Sequence, residues 1–162
     1  MSEFFPAAVA LGSNLGDRMA HLAAGMLGLA ALPRTRLTAR SAIYRTSALV
    51  RPGSPPAPDY LNAAVLLETQ LVPEDLMRQL LGIESACGRR RDSTTRWADR
   101  TLDLDLLLYA DRTVHAPGLE IPHPAMHARG FVLRPLCDIA PGWRHPVLGL
   151  TAQQMLAALG DG

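Results

Sequence analysis

Two carboxylates stand two positions apart in the stretch Arg100-Thr101-Leu102-Asp103-Leu104-Asp105-Leu106, and apolar residues fill the alternate positions. In an extended segment successive side chains take opposite faces, so Asp103 and Asp105 project one way and Leu102, Leu104 and Leu106 the other. Like charges held that close repel, and burial penalises both. Such a pair persists where a cation sits between the acids or one of them keeps its proton. Hard oxygen ligands of this kind suit magnesium. So short a motif also recurs by chance, with one acid facing solvent and the other capping a turn, and only its surroundings separate the two readings.

Those surroundings are rich in arginine. The chain carries 16 basic residues, all arginine and none lysine, and five of them (Arg89, Arg90, Arg91, Arg96 and Arg100) fall within twelve positions just before the paired acids. The lack of lysine excludes a Walker-type phosphate loop, a Schiff base and a lysine general base. Any phosphate chemistry must then run on arginine, metal and backbone amides. Arginines beside carboxylates form ion pairs on many solvated loops. A guanidinium cluster next to a two-acid edge is also what a magnesium-bound polyphosphate requires.

The elements that must position these groups can be read from periodicity. Ala7 to Leu11 is a short apolar strand, followed by Gly12-Ser13-Asn14-Leu15-Gly16 and by a helix in which Met19, Leu22, Ala23, Met26, Leu27 and Ala30 recur at helical spacing. Ser13 or Asn14 is the expected cap, and the turn is not the G-x-G-x-x-G of a dinucleotide site. Leu37 to Tyr44 reads as a second strand. Residues 46–58, broken by proline and glycine, read as a mobile functional loop. Tyr60 to Glu68 is a third strand with polar Asn62 near its start. Pro73, followed by Glu74 and Asp75, opens a helix to about Ala86 that Gly88 is placed to stop. A second loop, Arg89 to Asp99, leads into the acid-bearing strand, whose run Leu106-Leu107-Leu108-Tyr109 reads as covered on both faces. The order strand, helix, strand, strand, helix, strand predicts an α+β fold, a ferredoxin-like split β-α-β sandwich. Both loops and the acid pair then meet at one rim. Beyond it come a short strand around Thr113 to His115, a less regular segment from Ile121 to Leu136, and a last amphipathic helix from Thr151 to Leu159.

At 162 residues and 48% hydrophobic the sequence fits one domain over 1–162 with a core of its own. The N-terminus has no signal-peptide pattern and no apolar run approaches membrane-spanning length, which reads as a cytoplasmic, soluble protein. A net charge of +1 gives no general attraction to nucleic acid or membranes. Cys87 and Cys137 read as structural thiols. His123 and His127 are four apart, but Pro124 restricts a helix there, so His123 reads as a rigid turn residue unless it meets a phosphate at the rim.

Five segments in this order and spacing resemble the 6-hydroxymethyl-7,8-dihydropterin pyrophosphokinases of folate synthesis: Ala10-Leu-Gly-Ser-Asn-Leu15, Tyr44-Arg-Thr46, Asp59-Tyr-Leu-Asn-Ala-Ala-Val65, Arg96-Trp97 with Arg100-Thr-Leu-Asp-Leu-Asp105, and Ile121-Pro-His123 with Arg129-Gly-Phe131. The resemblance implies transfer of the β,γ-pyrophosphoryl group of ATP to the pterin hydroxymethyl, leaving AMP. It also implies two Mg2+ ions held by Asp103 and Asp105, and catalytic arginines at Arg89 and Arg100. Arg91, Trp97, Arg100, His123 and Arg129 resemble ATP contacts. Thr46, Leu49, Tyr60, Asn62, Trp97 and Phe131 resemble the pterin site, where a flat ring stacks between aromatic faces and an amide offers a donor and an acceptor to its edge. The chain departs from the family where Trp97-Ala98-Asp99-Arg100 replaces the usual Trp-Gly-Pro-Arg, and Gly118 and Glu120 stand where some members offer an arginine and a threonine to ATP. The alternatives are a homologue that binds pterin or nucleotide without transfer, and an RNA-binding module of the same fold. Near-neutral charge and the lack of an aromatic RNP-type motif count against the second.

Overall fold

The computed structural model describes residues 3–46, 59–88 and 101–160. Strand β1 (Phe5–Ser13) lies at the centre and is buried along nearly all its length, as its apolar sequence requires. Its side chains alternate between two cores, with Ala7, Val9 and Leu11 in one and Ala8 and Ala10 in the other. Helix α1 (Arg18–Ala30) follows, capped by Asp17, whose Oδ1 accepts the Ala20 N–H at 3.1 Å. The cap is neither Ser13 nor Asn14. Ser13 is still in the β-ladder opposite Leu61, and the turn is made at Gly16, with φ +68°, which leaves Asp17 as the first position free to cap.

The expected strand over 37–44 divides into β2 (Thr35–Arg40) and β3 (Tyr44–Thr46), both antiparallel to β4 (Tyr60–Thr69). Ser41 makes the break. Its N–H donates to Ala64 O, and its Oγ accepts the Ala64 N–H at 2.8 Å, so a side chain replaces a ladder acceptor. Helix α2 (Pro73–Ala86) has proline in its first turn beside Glu74 and Asp75, and ends before Gly88 at φ +91°. Strand β5 (Asp103–Tyr109) completes the sheet, in the order β2-β4-β1-β5 with β3 also against β4, every pairing antiparallel. This is the ferredoxin-like split β-α-β topology.

One face of the sheet packs on Leu22 and Leu29 of α1 and Leu76 and Leu80 of α2. The opposite face meets Val132, Leu133 and Leu136 of α3 (Gly130–Ile139) and Ala152 and Met155 of α4 (Ala152–Ala158). The leucine run of β5 is thus covered on both sides. Its loss of alternation has a definite cause: Ala8 pairs with Leu108 and Val9 with Leu106, so Leu107 is an extra residue in the strand. Leu107 and Leu108 consequently share one core, with Leu106 and Tyr109 in the other.

The C-terminal third is more regular than its sequence suggests. The expected strand near 113–115 is half of a hairpin, β6 (Val114–Ala116) with β7 (Leu119–Ile121), turned at Gly118 with φ +74°. Residues 130–139 form α3 despite Pro135 inside it. The proline forfeits one backbone bond, and the burial of Val132, Leu133, Pro135 and Leu136 outweighs that loss. The last helix starts as read, with Thr151 and Gln154 closing a reciprocal capping box. Among the described residues no helix is long and apolar enough to cross a membrane.

Candidate functional site

In antiparallel pairing, directly opposed residues share a face. Asp103 opposes Gly12, Gly12 opposes Asn62, and Asn62 opposes Tyr44, so one row crosses four strands. Asp105 lies two residues along, opposite Ala10, and Thr46 opposes Tyr60. All of these point to the face that carries α3 and α4, beyond the end of that apolar packing. The sequence places both acids on one side of an extended strand, and β5 has them there, half-buried, with Leu104 and Leu106 buried opposite.

Asn62 is 6% exposed, and its Nδ2 donates to Thr46 Oγ1 at 2.7 Å. That bond orients the amide and leaves the Thr46 hydroxyl hydrogen for another acceptor. Gly12 gives the amide its room, since a Cβ there would stand 3.2 Å from Asn62 Oδ1. Tyr44 turns its hydroxyl the other way, donating to Asp138 Oδ1 and Oδ2 of α3 at 2.8 and 2.9 Å. The bond to that carboxylate, followed by burial and its negative charge, pushes the Tyr44 pKa up from its ordinary value.

Among the described residues strand β5 is an edge of the sheet, and its outward backbone groups find partners in the site itself. Buried Glu84 on α2 takes the Leu104 N–H on Oε2 at 2.7 Å, between the two aspartates. The His123 N–H donates to Leu107 O at 2.9 Å, which fixes that residue against the strand. The His123 Nδ1 accepts the Ala125 N–H, so the neutral ring carries its proton on Nε2, 3.8 Å from Asp105 Oδ1. Burial pushes the His123 pKa below its ordinary value and Arg129 adds to this, while Asp105 opposes it. A cavity of about 340 Å³ opens beside these groups, lined by Met77, Asp105, Leu106, Leu119, Glu120 and His123. At the start of α3 the Arg129 guanidinium lies 5.7 Å from the centre of the Phe131 ring, which is 40% exposed.

The structure therefore brings Thr46, Tyr60, Asn62, Asp103 and Asp105 together on one sheet face, with His123 at the edge of β5 and Arg129 and Phe131 on the helix that covers that face. Leu49, Arg89, Arg91, Trp97 and Arg100 lie outside the described residues, as do 47–58 and 89–100, which make up nearly all of the two long loops. The segment 89–100 is bracketed by one bond, the Thr101 Oγ1 donating to Cys87 O at 2.9 Å. Glu84 and Asp138 are new to the picture, and Gly12 and Tyr44, which lie in the matching segments, gain a place in the site. Glu84 has a sequence signal, because it continues the buried stripe Leu76, Leu80 at a spacing of four, where an acid stands out. Asp138 has none, since its partner lies 94 positions away.

Among the described residues no three His, Cys, Asp or Glu side chains gather as a closed metal cage. Asp103 and Asp105 do fit magnesium, which takes one or two carboxylates and completes its shell with water and substrate phosphates.

A family model described as 7,8-dihydro-6-hydroxymethylpterin-pyrophosphokinase matches residues 8–141. The chain is 43% identical over 150 residues to the 2-amino-4-hydroxy-6-hydroxymethyldihydropteridine pyrophosphokinase of Pseudomonas aeruginosa, spanning 93% of this chain and 89% of that protein. It is 41% identical over 150 residues to the Synechocystis protein of the same name, spanning 93% and 74%. Among solved structures it resembles Plasmodium falciparum HPPK-DHPS, with a TM-score of 0.74 over 98% of this chain at 15% identity. The chain spans 44% of that longer protein, and the likeness concerns the fold.

Proposed function

The chain belongs to the 7,8-dihydro-6-hydroxymethylpterin pyrophosphokinase family, and on that premise we propose how its own residues carry out the transfer of pyrophosphate from ATP to 6-hydroxymethyl-7,8-dihydropterin, a step of folate biosynthesis. The observation that supports the assignment of roles is the single row Asp103, Gly12, Asn62, Tyr44, which sets a carboxylate and an oriented amide on one sheet face within two strand spacings of each other.

The pterin edge lies against Asn62 and Thr46. The Asn62 Oδ1 accepts from a ring N–H, the Thr46 hydroxyl donates to a ring acceptor, and the Tyr60, Phe131 and Trp97 rings flank the flat heterocycle, with Leu49 lending backbone groups. This holds the hydroxymethyl toward Asp103. ATP takes the side of the cavity beside Asp105 and His123. The His123 Nε2 proton and the Arg129 guanidinium face its phosphates, with Arg91 as a further contact. The hydroxymethyl oxygen gives up its proton to solvent and bonds to the β-phosphorus while the bond from that phosphorus to the α,β-bridging oxygen breaks, and AMP leaves with that oxygen. Arg100 and Arg89 steady the charge spreading over the transferred group. Asp103 and Asp105 would hold two Mg2+ ions, which supply neutralisation of the phosphate charge and lower the pKa of the attacking hydroxyl. Water must be kept from the reacting phosphorus, and half-buried acids at the end of a packed core suit that need. The reaction is assigned to the cytoplasm, where ATP is at hand.

AMP formation from ATP and 6-hydroxymethyl-7,8-dihydropterin tests this directly. The expected result is AMP in equal amount to pterin diphosphate, dependent on Mg2+; ligand binding without AMP would show a homologue that binds and does not transfer.

A further inference from the structure

Among the described residues strand β3 is short and stands at an edge: it has three residues and pairs with β4 alone. Strands of that length draw little stability from their ladder alone. Yet Thr46, at its end, must hold Asn62 in one orientation if the pair is to read a ligand edge. Something else has to fix β3.

That support comes from α3. Asp138, near its C-terminal end, accepts the Tyr44 hydroxyl on both oxygens at 2.8 and 2.9 Å and the Ala42 backbone N–H on Oδ2 at 3.1 Å. One carboxylate thus grips a side chain at the start of β3 and the main chain just before it. Hydrogen bonds to an ionised acceptor are stronger than neutral ones, and two contacts on a short segment restrain it in two directions. Arg134, one turn earlier on the same helix, also places its charge near Tyr44. Tyr44 is directly opposite Asn62, so the gripped residue and the ligand-reading residue are partners in one cross-strand pair. The first turn of the same helix carries Phe131. One rigid element therefore holds both sides of the pterin pocket.

We infer that Asp138 is a positioning residue for pterin recognition, acting through Tyr44 and β3 on the Thr46–Asn62 pair. It touches neither substrate. Its removal loosens the pocket wall, so it weakens pterin binding and leaves the phosphate side unaffected. This inference rests on the assignment of Asn62 and Thr46 to the pterin edge, and two readouts keep the two apart.

The first readout is calorimetric titration with 6-hydroxymethyl-7,8-dihydropterin and, separately, with an unreactive ATP analogue, alongside steady-state kinetics. Asp138→Ala is expected to raise the pterin Kd and KM about tenfold, the loss of one or two hydrogen bonds, with nucleotide Kd and kcat within about twofold. Asp138→Asn keeps one acceptor and should recover part of the affinity. Tyr44→Phe should lose less than Asp138→Ala, because the Ala42 contact remains. The second readout is the Asn62 side-chain amide signal in the ligand-free protein by NMR, which should shift and exchange faster in Asp138→Ala. An unmoved Asn62 signal with unchanged pterin affinity would overturn the inference, and so would equal losses for pterin and nucleotide, the mark of general loosening. A moved Asn62 signal beside unchanged pterin affinity would support the grip on β3 and refute the pterin assignment of Asn62.

Discussion

Two neighbouring cross-strand rows of the same sheet, one residue apart, have opposite fates. The row Ala63, Leu11, Leu104 faces α1 and α2 and is buried throughout, at 1%, 2% and 5% exposure. The next row, Asn62, Gly12, Asp103, faces the other side and holds an amide, a gap and an acid. A step of one residue along three strands exchanges core for site, because strand side chains alternate without exception in regular pairing. The site is thus built on the back of the most tightly packed part of the molecule. Its groups need little flexibility of their own, since their backbones are clamped by leucines on the far side. On the site face itself apolar packing by α3 and α4 stops short of the rim, and polar side chains take over where it ends.

The sharpest way to break this comparison is to remove function from one row without touching the other. Asp103→Ala and Asp105→Ala should each lower turnover by about a hundredfold to a thousandfold, the scale for removing a group that holds transition-state charge. Stability should hold or rise, because a repelling pair is relieved. AMP formation at saturating Mg2+, read beside the melting temperature, checks both halves. Either variant retaining full activity would refute the metal role.

The converse lies on the packed face. Leu80→Ala removes a fully buried side chain of α2 and should cost about 2–5 kcal/mol of stability. Turnover per folded molecule should change little. Chemical denaturation followed by activity at a temperature well below melting measures the pair. A large fall in turnover with unaltered stability would mean that the two faces are not separable in this way.

Much of this division was legible before any coordinates. The alternation through Leu102 to Leu106 placed the acids on one face, and the unbroken run after it placed β5 between two layers. Both follow from the fixed two-residue period of strands. The bulge at Leu107 was not legible, because it arises from how β1 registers against β5 and not from either sequence alone. The break at Ser41 depends in the same way on a side chain meeting Ala64 across the sheet. Helix α3 escaped notice because Pro135 argues locally against a helix, and only the apolar surface it covers outweighs that. In the site, residues with distinctive chemistry could be given roles, whereas the role of Gly12 and the presence of Asp138 could not be read: the first matters by what it leaves open, the second by a partner far away in the chain.

Gly12 sharpens the comparison at the scale of one methyl group. A Cβ there would lie 3.2 Å from Asn62 Oδ1, tighter than ordinary contact, and 4.0 Å from Tyr60 Cδ1. Gly12→Ala should push the amide off its orientation toward Thr46 and weaken pterin binding about tenfold, near the value of one hydrogen bond. Stability should change by less than about 1 kcal/mol, since a strand tolerates alanine better than glycine. Calorimetry with pterin, compared with Asn62→Ala, decides whether the two losses overlap. If the double variant loses the full sum, the methyl group acts elsewhere.

The smallest effect should come from protons, and it belongs to the packed end of the site face. His145 is buried there, 6% exposed, and its Nδ1 accepts the N–H groups of Val147 and Leu148 at 3.2 and 3.0 Å. Burial, and then the nearby His127 charge, push its pKa below the ordinary histidine value. The folded state therefore favours the neutral ring, while the unfolded chain takes up a proton at about pH 6.5. The stabilisation is fully present above that pH and is lost as pH falls through it toward the lower folded value. Protonation would also turn Nδ1 from acceptor to donor against two N–H groups. Melting temperature should accordingly fall between pH 7.5 and 5.5, and His145→Asn, whose side-chain oxygen can still accept an N–H, should show a shallower fall. An identical pH slope in the variant would assign the loss to other groups and leave His145 as a neutral turn residue without influence on acid stability.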